Sequence, residues 1–434
     1  MQSPSPQHVK ILLLALDHSG GSAPFSMSAP AKIPHPGMGF REFVACIAMM
    51  QAIVALAIDM MVPALGQISA AMHLEAANQR QWVITAFMFG FAAAQLIYGI
   101  AADRFGRKPV LLAALALYVL CSLLTAAAPD FGWLVAARFL QGVGAAGTRV
   151  ISISIIRDCY AGRRMAQVSS LTFMVFLGAP IIAPSIGQAV LLVAHWPVIF
   201  LGLGAYATLI WLWVALRLPE TLNRSDQRGI TIADISAAFR ITLSNRMALG
   251  YTLAMTALLG SWNGFINSAQ QVFAQVFLVP KLFPLIFAGC ALCMAVAALT
   301  NARLVERLGM RPLSHAALLG FIAISVVQAA LGLTGHDTLL RFAVLQGGMM
   351  FCFGLLAGNC NAIAMEPLGA IAGTAASVLG SVSMLGAALV GFLIGQSFDG
   401  TIRPLTAGFI LCSLLGLAVV LVAEGGVLFR HRSK

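Results

Sequence analysis

Three places in the chain put polar chemistry where apolar neighbours make it costly. Asp59 lies near the end of "VACIAMMQAIVALAIDMMVPAL" (44–65), the one acid well inside an apolar run. A carboxylate at membrane depth costs about 2.5–3.5 kcal/mol on insertion scales and by default marks function. Two readings stand: a group that takes up and releases a proton, or a carboxyl four residues before Pro63 that exterior water wets. Arg138 sits in "LVAARFLQGVGAAG" (134–147), and a buried guanidinium must find acceptors. Gln141, one turn on, can share its network, whereas Arg149 lies nearer the other end of the run and can snorkel. The third place is "GIAADRFGRKPV" (99–110), where Asp103, Arg104, Arg107 and Lys108 fall within six positions between two nearly uncharged stretches.

The elements that must position these groups follow from composition. Of 434 residues 60% are hydrophobic and 9% charged, with mean hydropathy +0.91. Soluble domains carry roughly 25% charged residues, so much of this surface must face lipid. Apolar runs long enough to cross a bilayer as helices recur throughout. The pattern predicts twelve spans, near 40–63, 82–102, 109–128, 131–155, 168–193, 196–218, 247–269, 284–301, 313–333, 339–364, 371–396 and 404–425. Twenty Lys and Arg fall on one set of loops and tails, against Arg80, Lys281, Arg341 and Arg403 on the other. That bias puts both termini in the cytoplasm of a multi-pass inner-membrane protein and accounts for the net charge of +11 without nucleic acid.

"DRFGRKP" (103–109) returns as "ERLGMRP" (306–312), and Arg138-Phe139 returns as Arg341-Phe342 at the same offset of 309 − 106 = 203. The chain therefore divides into a six-helix bundle over 38–218 and a second over 247–425, joined by a linker (219–246). In the linker Ile232, Ile235, Phe239 and Leu243 have helical spacing, which predicts an amphipathic helix on the membrane surface. Residues 1–37, rich in Pro, Ser and Gly, read as a disordered extension ahead of Met38, and 426–434 as a basic cytoplasmic tail.

Two six-helix halves related by an axis along the membrane normal are the architecture of major facilitator transporters. "GIAADRFGRKPVL" (99–111) resembles that family's signature between its second and third spans, and "LVAARFLQGVGAAG" its fourth-span signature. "AIDMMVPAL" (57–65) is similar to the first-span signature of the drug:proton antiporter branch. "RDCYAGRRMAQVSSLTFMVFLGAPIIAPSIGQ" (157–188) and "RLPETL" (217–222) resemble the bicyclomycin and chloramphenicol resistance subfamily. In the fifth span, antiporters of this branch often carry Gly-Pro and Gly-Gly; here Ala179-Pro180, Ala183-Pro184 and Gly187-Gln188 leave that signature incomplete.

The resemblance implies a proton-coupled secondary transporter that exports small amphiphilic drugs, works without a cofactor on the proton gradient, and acts as a monomer among lipids. It implies that Asp103 latches the halves on the cytoplasmic face, against the start of the eleventh span near 369–373, with Gly99 permitting close approach. It also gives Arg138 a role in proton coupling. On physics alone Gly106 makes the turn, Pro109 starts the third span, and Arg104, Arg107 and Lys108 hold the loop against anionic headgroups. Gly178, Pro180, Pro184 and Gly187 should bend the fifth helix, as a pivot or as a static kink. Asn263, Asn267 and Gln270 share a face of the seventh span that must meet a cavity or another helix. Gln51, Phe173, Met174 and Phe265 are candidate cavity walls, or plain core.

A rival from another class, a polytopic membrane enzyme, needs clustered His, Asp, Glu or Cys. No HxxxD, HExxH or nucleotide-binding lysine motif occurs, and Cys290 and Cys293 fall inside an apolar helix as small filler. A third reading keeps the transporter but gives it an endogenous metabolite, exported or imported.

Overall fold

The structure is a computed structural model and describes residues 38–76, 78–222, 239–334 and 337–429. The N-terminal extension, Ile232 and Ile235 of the linker, and residues 430–434 of the basic tail lie outside the described residues.

Twelve long helices make up the described chain: α1 (Phe40–Asp59), α2 (Trp82–Phe105), α3 (Arg107–Ala126), α4 (Phe131–Cys159), α5 (Gly162–Val193), α6 (Pro197–Arg217), α7 (Arg246–Gln271), α8 (Phe283–Leu308), α9 (Met310–Thr334), α10 (Leu339–Met365), α11 (Ala372–Gln396) and α12 (Arg403–Glu424). Each coincides with an expected span to within a turn or two. Eleven are long and apolar enough to cross a membrane. The twelfth, α7, reaches the length, about 39 Å over 26 residues, but carries Ser261, Asn263, Asn267, Ser268, Gln270 and Gln271. It is buried along most of its course, so protein rather than lipid meets those groups.

Local chemistry sets the ends. Asp130 caps α4 by accepting from Trp133 N–H at 2.8 Å, and Asn245 caps α7 by accepting from Ala248 N–H at 3.0 Å. Gly106 (φ 100°) and Gly309 (φ 82°) make the two repeated turns in the left-handed region, where a side chain is strained.

The repeat governs packing. In the first half α2 and α3 pack on α4, α3 on α6, and α1 on α5; in the second α8 and α9 pack on α10, α9 on α12, and α7 on α11. The halves meet through α2 on α11 and α5 on α8. Where α2 crosses α4 the backbones interlock. A Cβ on Gly90 would come within 1.9 Å of the Phe139 carbonyl oxygen, and one on Gly142 within 2.0 Å of that of Phe87. Small residues give helices this approach in a bilayer, where apolar burial alone does not draw them together.

Candidate functional site

Arg138 is fully buried on α4 and spends its donors on three neighbours. Nε donates to the Val83 carbonyl of α2 at 3.0 Å, one Nη to Gln141 Oε1 at 2.6 Å, and the other Nη to the Ala57 carbonyl of α1 at 3.1 Å. Phe87 and Phe200 stack on the guanidinium, with centroids 4.5 and 5.5 Å from Cζ. Gln141 passes the network to Ser122 Oγ at 2.7 Å, which donates to the Tyr118 carbonyl at 2.8 Å. Ala57 is in the last turn of α1, whose carbonyls lack helical partners, so Arg138 is a cation at a helix C-terminus. Asp59, 4% exposed, ends the same helix two residues on. The expected trio therefore gathers at one level, and the hydrogen-bond acceptors of Arg138 are carbonyls and an amide rather than Asp59.

The fifth helix runs unbroken through Pro180 and Pro184. Gly187 presses it on the turn after Asp59: a Cβ there would be 1.9 Å from the Met60 carbonyl oxygen, whereas one on Gly178 would meet nothing within 4 Å. Gly187 thus serves close approach.

The charged loop corrects an expectation. Arg107 is buried, not spread on headgroups; it pairs with Asp103 and, at 3.0 Å, with Asp158. Lys108 Nζ donates to the Ala215 carbonyl at 2.8 Å. Only Arg104, exposed beside the Phe105 ring, has the freedom expected of all three. Asp103 has its ion partner within its own half, while Gly99 approaches α11 at Ser377. Glu220, just past α6, accepts from the main-chain N–H groups of Arg107 (2.9 Å) and Lys108 (3.1 Å) and so caps α3. A Cβ on Gly106 would lie 2.6 Å from the Glu220 carboxylate. Gly106→Ala therefore combines a positive φ with a clash, and should destabilise the fold by about 1–3 kcal/mol. The expected outcome is a lower melting temperature in detergent, partly restored by Glu220→Ala.

The amide stripe of α7 runs to the end of the bundle opposite the charged loop, packing on α11 of its own half and reaching the first half at Gln270. Asn263 and Asn267 are buried against α11, where Gly391 and Gly395 leave room for them, and Gln270 reaches Gly66. Around them Gln81 donates to Gln271 Oε1 (2.7 Å) and to the Gly395 carbonyl (2.8 Å). Asn78 donates to the carbonyls of Gln396 and Phe398 (both 2.9 Å), and Gln271 donates back to Asn78 (2.6 Å). The far end is tied shut across the halves by neutral amides. Of the proposed cavity walls, Phe265 is wholly buried among Trp262, Phe287 and Phe342, a core position. Gln51 is partly exposed, and Phe173 and Met174 are exposed.

The model of the Major Facilitator Superfamily matches residues 47–391. The chain belongs to the Major Facilitator Superfamily. It is 27% identical over 367 residues to the "Bicyclomycin resistance protein homolog" of Haemophilus influenzae, covering 84% of this chain and 91% of that one. It is 28% identical over 380 residues to the "Multidrug resistance protein MdtL" of Shewanella oneidensis, covering 85% and 93%. Among solved structures it resembles a bacterial homologue of the lysosomal transporter Spinster, in an inward-facing and occupied conformation (TM-score 0.65, 15% identity, covering 88% and 96%). The human organic anion transporter MFSD10 shares the fold too (TM-score 0.62, 16% identity, covering 88% and 99%). This facilitator is a transporter, not an enzyme, and the resemblance to drug-efflux proteins holds.

The second half of the facilitator mirrors the loop cluster. Arg311 donates to Glu424 and Glu366, both at 2.9 Å, as Arg107 holds Asp103 and Asp158. Sequence reading missed Glu220 and Glu424 and the amides Asn78, Gln81, Gln271 and Gln396. The acids stand at the end of α12 (Glu424) and just past the end of α6 (Glu220), at nearly the repeat offset (424 − 220 = 204), a signal that was available. The amides lie at helix ends, where polar residues are expected anyway.

Proposed function

We propose that the chain exports small amphiphilic compounds from the cytoplasm by alternating access, driven by protons returning inward. It sits in the bacterial inner membrane as a monomer among lipids, with both termini cytoplasmic and no cofactor. In this orientation the amide-tied end is the exterior one, and the conformation is closed to the outside. The observation that carries the reading is the packing of Asp59, Arg138 and Gln141 where α1, α2 and α4 meet. An acid and a guanidinium at membrane depth, one helix turn from a glycine contact with α5, can couple protonation to helix movement. The relatives named for bicyclomycin and multidrug resistance support a drug as cargo. In the opposite conformation Asp103 would leave Arg107 and latch on the N-terminus of α11, which Gly99 already lets α2 approach.

The test is drug-induced proton release from purified protein in weakly buffered detergent. Wild type should release protons on binding bicyclomycin, and Asp59→Asn should release fewer while still binding. Asp59→Asn should also lose export against a gradient and keep downhill exchange. Equal release from the two proteins would remove Asp59 as the carrier.

A further inference from the structure

Arg149 has no role in the site above, and its surroundings are unlike those of Arg138. It follows Arg138 by eleven residues, three turns to within about 20°, so both project from one face of α4. Arg138 is enclosed by aromatic rings and carbonyls, whereas Arg149 is partly exposed. Its guanidinium lies 5.0 Å from the Phe176 ring of α5, and Phe176 stacks on Phe173 at 6.0 Å and 23°. Helix α5 packs on α1 of its own half and on α8 of the second, so this column belongs to a helix that meets both halves.

Depth excludes snorkelling. Arg149 is ten residues before the end of α4 at Cys159, about 15 Å along the axis. Phe176 is fourteen residues from the start of α5 at Gly162, about 21 Å from the same side. The side chain therefore reaches toward mid-depth rather than back to the near surface, the reverse of what a snorkelling arginine does. Among the described residues no carboxylate forms an ion pair with it. Stacking on a ring occupies one face of a guanidinium and leaves its in-plane N–H fork free, the geometry that takes a carboxylate through two hydrogen bonds.

We propose that Arg149 is an anion-reading element of the transport path, so that the compounds preferred carry a carboxylate or a similar monoanion on an apolar body. Exposed Phe173 and Met174 offer that body a surface beside the guanidinium. The inference rests on the exporter reading and names its substrate class.

The test uses two fluorescent probes of one shape and different charge, dansylglycine (a carboxylate) and dansylglycinamide (neutral), titrated into the purified full-length protein. Wild type should bind the anion at least tenfold more tightly. Arg149→Gln should bring the two within twofold of each other by weakening the anion alone, and Arg149→Lys should fall between, since ammonium keeps the charge and loses the fork. Equal affinities in wild type would overturn the proposal, as would a preference undiminished in Arg149→Gln, or no binding of either probe. If Arg149→Gln does not fold, Arg149→Lys carries the comparison, and an undiminished preference there counts against the fork. Protection of a pump-deficient host by wild type against a panel of carboxylate-bearing and neutral antibiotics reads the exporter proposal separately. Protection without charge discrimination sinks the role of Arg149 alone; discrimination without protection sinks export and leaves the anion site.

Discussion

A single methyl group at position 142 should cost the protein its first half. The Cβ of Gly142→Ala would stand 2.0 Å from the Phe87 carbonyl oxygen and 2.8 Å from its carbon, both main-chain atoms of α2 that no rotamer can move aside. Gly90→Ala makes the reciprocal clash with Phe139. Either change forces α2 and α4 apart along the contact that also holds Arg138 to Val83. Overpacking of this kind exceeds the usual 1–3 kcal/mol because backbone must shift. The expected result is little or no monodisperse protein after extraction. Gly178→Ala is the control, with nothing within 4 Å of its Cβ and wild-type yield expected. Normal yield and melting temperature for Gly142→Ala would show that the helices do not approach so closely.

Arg138→Lys should leave a folded but uncoupled transporter. Three acceptors on three helices receive from one planar group, and an ammonium on a shorter reach cannot serve them all. At least one buried carbonyl loses its partner, at about 1–3 kcal/mol each. Uphill transport should fall on the order of 100-fold, with a lowered melting temperature, while downhill exchange persists. Proteoliposomes with and without a proton gradient separate the two activities. A lysine variant with wild-type uphill transport would reduce Arg138 to a structural charge.

The spans were legible because a bilayer admits only helices and closed barrels, and an uninterrupted apolar run of about twenty residues fits only the helix; the repeat supplied the pairing of the halves. Arg138 and Gln141 were legible as partners because one turn separates them. The role of Arg107 was not. A cation in a loop reads as solvated until Asp158, fifty-one residues on, is brought beside it by α4. The choice between wall and core for Phe265 was open for a related reason: periodicity places a residue on a helix face, and only the neighbouring helices decide whether that face looks on a cavity or on other rings.

The side chains that tie the far end, Asn78, Gln81, Gln271 and Gln396, do not ionise. Carboxamides keep their donors and acceptors at any pH a cell envelope meets, and contacts between neutral partners are nearly blind to ionic strength. A gate closed by ion pairs would loosen in brine or acid. In the proposed orientation this one faces a medium the cell does not buffer, so its closing strength stays constant as the outside changes. On the proposed proton-coupled cycle, external acidity would act through Asp59 and not by weakening the door.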